Sequence, residues 1–438
     1  MKYSVITFGC RVNQADSLAF EEALLASGAQ AGSAEEAELI VVNTCSVTAA
    51  ADQGARQTIR RLARQNPSAR IVVTGCYATR QPDDVSALPN VVRVLPNQDK
   101  TRLIPILRAD ACSSGASPFV QMPPEVGTAE RFGDGDGSCG ATIEPGFAGR
   151  TAFTLRVQTG CAEPCSYCII PTTRGEPRSA ALEHILAEVA RVTAAGFKEI
   201  ALTGVHLGSY GRDLSPRSSL VALLEALADR AAAGPAPVLF RISSLEPMDC
   251  TLDVVRLVAG HDGFAPHFHL PLQHASGRML AAMRRPYTIA RYAELVDTIR
   301  SRMPHAAIGS DIIVGFPGES DADFEQLARY LEGSPITHVH VFPYSDRPGT
   351  AATAMNGKVP GLVVRERARR IRDISARLSE RFRRSQVGSV HRALTIEDGS
   401  LAVTGNYLKV RIPPGHPRNE WVRLAVTGAA DSITGAVV

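Results

Sequence analysis

The sequence predicts an α/β protein: an N-terminal doubly wound α/β domain, a central partial (β/α)6 barrel and a small C-terminal antiparallel β-barrel. Short, continuous apolar runs alternate with helical segments over most of the chain, a pattern typical of parallel sheets. Near the C-terminus apolar residues instead alternate one-for-one with polar ones, as in strands with one buried face. The length of 438 residues also exceeds what one ordinary core can hold, so several units are expected.

The first unit is predicted over residues 1–108. Three apolar runs in it are typical of buried parallel strands, and each is followed closely by a cysteine: Cys10, Cys45 and Cys76. Functional groups gather beyond the carboxyl ends of such strands, so one repeated position per βα unit can bring the three thiols together. Three unrelated buried thiols remain the alternative, because cysteine is commonly buried.

Residues 109–149 are rich in Gly, Pro and Ser and are predicted to form a linker or long loop. Cys112 and Cys139 lie in it and are expected to be free thiols, as is Cys250 further along the chain. Strands and helices alternate again over residues 150–375. Because six strand candidates are too few for a closed eight-stranded barrel, a partial barrel is predicted there.

Cys161, Cys165 and Cys168 form a C-x3-C-x2-C triplet after the first strand candidate of the central barrel. Barrel enzymes keep their active sites at that end of the strands. Three thiolates at this spacing can hold three irons of a [4Fe–4S] cluster and leave the fourth iron open. A closed zinc site would need a fourth ligand, and His184, the nearest downstream candidate, lies in a predicted helix. Three unrelated thiols are the other alternative.

The last unit, residues 376–438, is predicted to be a five-stranded antiparallel barrel. In one of its predicted strands, apolar residues that should face the barrel interior alternate with residues that should face outward. The outer residues are Tyr407, Lys409 and Arg411. Aromatic and cationic side chains on a small barrel suit stacking on RNA bases. The run Arg365–Arg384 holds nine Arg against three acidic residues, which favours RNA binding over a structural cap, although such runs are usually solvated helix faces.

The net charge of +3 is too small to indicate a nucleic-acid-binding protein as a whole. No secretory h-region is found at the start, and no apolar run is long enough to span a bilayer. A cytoplasmic protein with no membrane partner is therefore expected. In that compartment, nine cysteines favour metal ligation or catalysis over structural disulfides.

The cysteine triplet, with Tyr167 before its last cysteine, resembles the radical S-adenosylmethionine (SAM) superfamily. The resemblance implies an open iron that chelates SAM, and an electron from the cluster that splits the sulfonium to give a 5′-deoxyadenosyl radical. Further blocks resemble one branch, the methylthiotransferases. They are Gly9–Gln14, Val42–Cys45, Thr74–Cys76, Gly160–Pro171, Arg241–Pro247, His269–Gln273 and Asp311–Glu319. This branch holds a second [4Fe–4S] cluster on three N-terminal cysteines, which the resemblance assigns to Cys10, Cys45 and Cys76.

The resemblance also implies contacts to SAM or substrate at strand ends. The candidates are Tyr167, Thr203, Gly204, Glu246, Gln273 and Gly315. Arg174 and Arg178 are candidates for binding carboxylate or phosphate. Ordinary turns, ion pairs or core polar contacts are the alternatives. The chain departs from the family pattern at Thr159, Ala180 and His274–Gly277, none of which is a predicted cluster ligand.

The C-terminal barrel resembles the TRAM domain, an RNA-binding module. Family members modify isopentenyladenosine in tRNA, threonylcarbamoyladenosine in tRNA, or an aspartate of a ribosomal protein. Three stretches of this chain are most similar to the threonylcarbamoyladenosine type. They are Gly9–Asn13, Asn43–Thr48 followed by Arg56–Arg60, and Thr203–Gly211.

The expected activity is methylthiolation at C2 of N6-threonylcarbamoyladenosine next to the anticodon, with one SAM as methyl donor and one as radical source. The expected partners are tRNA and a low-potential electron donor of the flavodoxin or ferredoxin type, and no DNA. Two rivals belong to other classes. An iron–sulfur electron carrier would need two fully ligated clusters, and an iron–sulfur RNA-binding protein would bind RNA without catalysis.

Overall fold

A computed structural model describes residues 1–107, 143–146, 150–234, 237–430 and 432–438. Cys112 and Cys139 lie outside these residues, as does nearly all of the predicted linker. No helix in the described ranges is both long and apolar enough to cross a bilayer.

The N-terminal unit is a five-stranded, all-parallel sheet in the order β2-β1-β3-β4-β5. Its strands are β1 (Lys2–Thr7), β2 (Gln30–Ala31), β3 (Leu39–Thr44), β4 (Arg70–Gly75) and β5 (Val91–Leu95). The helices of this unit are α1 (Arg11–Ala26), α2 (Ala49–Gln65), α3 (Cys76–Arg80) and α4 (Pro82–Ser86), followed by a 3-10 turn at Asn97–Arg102.

Successive side chains of β3 pack on opposite faces of this sheet, because side chains alternate along a strand. Leu39 and Val41 pack with Leu24 of α1 on one face. Ile40 and Val42 pack with helix α2 on the other. The continuous apolar run of β3 is therefore explained by burial on both sides, and the doubly wound arrangement is confirmed.

The central unit contains six parallel strands in two three-stranded sheets. They are β6 (Phe153–Arg156), β9 (Glu199–Thr203), β10 (Leu239–Ile242), β11 (His267–His269), β12 (Ala307–Val314) and β13 (His338–Pro343). A β-bridge between Phe240 of β10 and Phe264, which precedes β11, joins the two sheets. The predicted partial (β/α)6 barrel is thus confirmed.

Helices alternate with these strands, and a short ribbon of β7 (Gln158–Thr159) and β8 (Arg178–Ser179) follows β6. The helices are α5 (Ile170–Arg174), α6 (Leu182–Ala194), α7 (Leu220–Ala233), α8 (Leu252–Gly260), α9 (Gly277–Ala282), α10 (Ile289–Arg302), α11 (Asp321–Gly333) and α12 (Gly361–Ser385). Short 3-10 turns lie at Leu207–Ser209 and Ala351–Ala354. One apolar core runs through this unit and includes Ile371 and Ile374 of α12.

The C-terminal unit is a closed barrel in the order β14-β15-β16-β18-β17. Its strands are β14 (Val390–Ile396), β15 (Leu401–Thr404), β16 (Lys409–Arg411), β17 (Trp421–Ala429) and β18 (Ile433–Val437). Leu408, Val410 and Ile412 are buried in its core, as their alternation with polar residues predicts. The antiparallel prediction is wrong for one pair, since β16 and β18 close the barrel in parallel at Arg411 and Thr434.

The arginines of α12 are largely paired with carboxylates. Three of them reach α11, with Arg367 bound to Asp321, Arg370 to Glu325 and Arg377 to Glu332. Further pairs lie within α12, between Arg369 and Glu366 and between Arg384 and Glu380. Much of the local positive charge is therefore balanced by helix packing, which weakens the inference of RNA binding from this run alone.

Candidate active site

The loop after β7 carries Cys161, Cys165 and Cys168, which are free, half-buried thiols. The Cys161 N–H donates to the Gly175 carbonyl oxygen at 3.0 Å, which ties the start of the loop to its end. Burial, together with the neighbouring Cys165 and Cys161 thiols, raises the pKa of the Cys168 thiol to about 12. The three sulfurs are thus close enough to interact, and a bound iron would have to displace their protons.

Gly160 sets the direction of this loop. Its φ is +75°, and a Cβ atom there would lie 1.9 Å from the Glu176 carbonyl oxygen. Gly175 has a similar φ of +70°, but a Cβ atom there would meet nothing within 4 Å. The two glycines therefore share a positive φ that other residues rarely adopt and differ in the space around them.

We expect Gly160→Ala to lose the iron held by this loop, because the added methyl group would push Cys161 out of place. Iron per chain in anaerobically reconstituted protein should fall by about half. Gly175→Ala, the matched control, should keep its iron. Equal iron in both variants would contradict this role for Gly160.

The second trio lies at the carboxyl ends of three adjacent strands of the N-terminal sheet. Cys10 precedes α1, Cys45 follows β3, and Cys76 begins α3. A Cβ atom on Gly9 would lie 2.6 Å from the Cys45 sulfur, so the chain before Cys10 closely approaches Cys45. Burial, with smaller contributions from Cys76 and Cys10, raises the pKa of Cys45 to about 11. Topology therefore brings the trio together despite its wide spacing in sequence.

Cys76 is surrounded by donors and cations. Burial alone would raise its pKa, but the charges of Arg174 and Lys100, with hydrogen bonds from Asn97 and Thr173, outweigh burial and lower it. The Asn97 Nδ2 lies 3.6 Å from the Cys76 sulfur. Because metals bind the thiolate form, this setting fits Cys76 as a ligand.

Helix α5 connects the two trios. It begins just after Cys168, and its Thr173 carbonyl oxygen accepts a hydrogen bond from the Asn97 Nδ2 at 2.8 Å. The same Asn97 amide contacts Cys76. Both trios therefore lie on the same side of the molecule, where the N-terminal sheet meets the central barrel.

A buried charge cluster lies behind Cys76. Asp16 is 2% exposed and contacts Lys100 Nζ at 2.6 Å, Arg174 Nη2 at 3.2 Å and Arg156. Asp16 and Lys100 belong to the N-terminal unit, and Arg156 and Arg174 belong to the central unit. The sequence makes Arg174 a candidate for binding an external carboxylate or phosphate. In the structure its guanidinium is paired with the buried Asp16 carboxylate instead.

A second buried ion pair joins the same two units. Arg347 Nη1 lies 2.7 Å from the Asp52 carboxylate, which also binds Arg80 at 2.5 Å. Nearby, the Ala49 N–H donates to the Ser345 hydroxyl at 3.0 Å. The N-terminal trio is thus fixed against the barrel on two sides.

Arg285 connects the cysteine loop to Glu246. Its Nη1 lies 3.2 Å from the Cys165 sulfur, and its Nη2 pairs with the Glu246 carboxylate. Tyr167 lies in the same group and packs with Met279, Met283 and Phe316. The structure therefore brings Tyr167 and Glu246 beside the first trio through an arginine that sequence reasoning missed.

Other predicted contacts lie at neighbouring strand ends. Thr203 ends β9, and a Cβ atom on Gly204 would lie 3.0 Å from the Gln158 Oε1. Gln273 has a φ of +67° and bridges to Ile312 of β12. Gly315, with a φ of +76°, follows β12, and its N–H donates to the Glu319 carboxylate at 2.6 Å. All four are at the carboxyl side of the barrel strands.

His206 is a further residue that the sequence reasoning missed. Its Nε2 lies 2.7 Å from the Asp249 carboxylate. Burial lowers the pKa of His206, but the hydrogen bonds to Asp249 and Cys161 outweigh burial and raise it to about 10. His206 therefore lies beside Cys161 and is held there by Asp249. Its only signal in sequence was its position inside the Thr203–Gly211 block.

The residues predicted to bind RNA lie in different environments. Lys409 and Arg411 are exposed, and Arg178 is half-buried on β8. Tyr407 is exposed as well, at 41%, but it also contacts the central unit. Its ring is 4.1 Å from the guanidinium of Arg241 and 5.0 Å from the ring of His267, and its φ is +68°. This contact fixes the C-terminal barrel to the central unit.

Comparison with known proteins identifies two matching families. Residues 2–96 match the model described as "Uncharacterized protein family UPF0004", and residues 155–331 match the Radical SAM superfamily. The "Threonylcarbamoyladenosine tRNA methylthiotransferase MtaB" of Aquifex aeolicus is 36% identical over 94% of this chain and 96% of the relative.

Relatives with other substrates in their names also match. The "tRNA-2-methylthio-N(6)-dimethylallyladenosine synthase" of Streptomyces viridosporus is 32% identical over 94% of this chain and 80% of the relative. The "Ribosomal protein uS12 methylthiotransferase RimO" of Roseiflexus castenholzii is 32% identical over 92% of this chain and 88% of the relative.

Among solved structures, the radical S-adenosylmethionine methyltransferase TsrM from Kitasatospora setae covers 80% of this chain and 76% of its own. The TM-score is 0.55 and the sequence identity is 16%. The likeness at this identity is one of fold.

Proposed function

Because this chain belongs to the methylthiotransferase family of radical SAM enzymes, we propose that it adds a methylthio group to C2 of N6-threonylcarbamoyladenosine next to the anticodon of tRNA. One SAM is the methyl donor and one is the radical source. The single observation that carries the proposal is the pair of three-thiol sets, linked through Asn97 and α5 on one side of the molecule. An electron carrier has no need of two incomplete ligand sets.

Cys161, Cys165 and Cys168 hold one [4Fe–4S] cluster in this proposal, and Cys10, Cys45 and Cys76 hold a second. The donor sets fit, since each offers three free thiols and leaves one iron without a protein ligand. When bound, the first cluster and SAM would supply the electron, the radical and the methyl group, and the second cluster would hold the sulfur that is added.

The chain itself positions these groups and excludes water. Candidates for SAM contacts are Tyr167, Thr203, Gly204, Glu246, Gln273 and Gly315. Arg285 holds Glu246 next to Cys165 and so fixes that carboxylate at the edge of the first trio. The apolar group of Met279, Met283, Ile313 and Phe316 lies against Tyr167 and keeps that side of the site dry.

The preference for threonylcarbamoyladenosine rests on the relatives. The Aquifex aeolicus protein with that substrate in its name is 36% identical to this chain, against 32% for the relatives named for dimethylallyladenosine and uS12. The C-terminal barrel, as a TRAM-like module in the cytoplasm, offers Lys409 and Arg411 to the RNA backbone. A low-potential flavodoxin or ferredoxin supplies the electrons.

An assay with competing substrates tests the proposal. Anaerobically reconstituted protein, SAM and dithionite are mixed with an anticodon stem-loop that carries N6-threonylcarbamoyladenosine. Parallel reactions contain a stem-loop with isopentenyladenosine, or ribosomal protein uS12. Mass spectrometry should find the methylthio product only in the first reaction, with a preference of at least about 100-fold, because a site that bonds the polar substituent rejects an analogue without it.

Each other outcome is informative. Product from isopentenyladenosine or uS12 alone would overturn the substrate assignment. RNA binding without 5′-deoxyadenosine in any reaction would indicate the non-catalytic alternative.

A further inference from the structure

Three metal-binding side chains, none of them a cysteine, converge on the strands β11, β12 and β13. His269, Asp311 and His340 each offer one ligand atom, and these atoms lie within 4.8 Å of one another. The His269 Nε2 and the Asp311 Oδ1 are 3.1 Å apart. The proposed function assigns no role to this group, which we call the His–Asp–His group.

The strand register explains why these side chains meet. Asp311 is paired with His340 across β12 and β13, and Gly309 is paired with His269 across β11 and β12. Gly309 and Asp311 face the same side of the sheet, because side chains two residues apart share a face. The three ligands therefore belong to one small patch of one face.

Gly309 makes space for the imidazoles. A Cβ atom there would lie 3.1 Å from the His269 Cδ2 and 2.5 Å from the Nε2 of His338, the neighbour of this group on β13. Any larger residue would push both rings aside. The glycine thus permits imidazoles from the two flanking strands to lie over the middle one.

Hydrogen bonding orients the ligand nitrogen of His269. Its Nδ1 lies 3.1 Å from the Ser244 hydroxyl, so the Nε2 is the nitrogen that faces Asp311. Metal-bound histidines usually hydrogen-bond through their other ring nitrogen in this way. His269 and Asp311 are half-buried and His340 is exposed, which leaves a path for an ion from solvent.

We propose that His269, Asp311 and His340 bind a divalent metal ion of the zinc type. Two imidazoles and a carboxylate are zinc ligands, and three protein ligands leave a coordination position open for water or a substrate oxygen. Ligands 2.0–2.1 Å from a tetrahedral zinc are about 3.3 Å from one another. The 3.1 Å between His269 and Asp311 already matches this separation, and the exposed His340 side chain has freedom to complete the site.

Zinc titration of the reconstituted full-length protein tests the site. After removal of unbound metal, wild-type protein should retain about one zinc per chain in addition to its iron, and X-ray absorption should find nitrogen and oxygen ligands at about 2.0–2.1 Å. His340→Asn should weaken zinc binding by at least about 10-fold, since one of three ligands is lost, with iron unchanged. His391→Asn is the matched control. It removes a half-buried imidazole from the C-terminal barrel and should bind zinc as wild type does.

Three results would overturn the proposal. One is wild-type protein that retains no more zinc than His340→Asn. Another is zinc bound through sulfur at about 2.3 Å, which would place it on the cysteines. The third is equal zinc affinity in Asp311→Asn and wild type, which would mean that Asp311 only forms a hydrogen bond with His269. None of these readouts depends on the tRNA substrate, so they are separate from the test of methylthiolation.

Discussion

Cys76→Ala should halve the iron of the reconstituted protein, from about eight to about four atoms per chain, and abolish methylthiolation. Cys76 is buried beside Arg174 and Lys100, whose charges lower the pKa of its thiol and so favour the thiolate. Without it, Cys10 and Cys45 provide only two ligands. The first trio is unaffected, so the variant should still cleave SAM to 5′-deoxyadenosine.

Two variants complete this experiment. Cys168→Ala should also halve the iron but should abolish SAM cleavage, because it removes a ligand from the other trio. Cys250→Ala is the matched control. Cys250 is equally buried but packs in the apolar core, so this variant should keep all its iron. Iron and sulfide analysis with electron paramagnetic resonance distinguishes these cases. Wild-type protein with about four irons per chain would overturn the two-cluster proposal.

The fold could be predicted from sequence because its signals are local. The apolar run of β3 and the alternation around Val410 each specify a strand type without knowledge of its neighbours. The cysteine trios follow from the same reasoning, because parallel strands end at one edge of a sheet. The parallel β16–β18 pair did not follow, since barrel closure depends on how distant strands meet.

Residues whose partners come from another unit were harder to predict. Arg174 looked like an external ligand, but its partner Asp16 lies far away in sequence. Tyr407 has the alternation of an outward residue and is exposed, but local pattern did not reveal that its ring also packs on Arg241 of the central unit. Arg285 gave no signal, because its role depends on where Cys165 and Glu246 lie in space. Pairing across a domain interface is a property of packing, which local patterns do not contain.

Asp16→Ala should destabilise the protein by about 3–5 kcal/mol, because it removes the carboxylate that pairs with the buried Lys100 and Arg174 and with the partly buried Arg156. Burial raises the pKa of Asp16, but the charges of those three residues outweigh burial and hold it well below its usual range. A carboxyl with a lowered pKa stabilises the fold above its unfolded pKa of about 3.9, and this stabilisation is lost as the pH falls toward the folded value. The difference between wild type and variant should therefore be full at pH 7 and shrink below about pH 4.

Urea unfolding of the cluster-free protein, followed by circular dichroism, measures this difference. Glu294→Ala is the matched control: Glu294 pairs with Arg291 at 2.6 Å, but both side chains are exposed, at 64% and 76%. Solvent screens such a pair, so its loss should barely shift the unfolding midpoint. Because Asp16 joins residues of both units, Asp16→Ala should also weaken iron retention by the N-terminal trio, whereas Glu294→Ala should not. Equal midpoints for the two variants would show that the buried charge cluster does not hold the interface together.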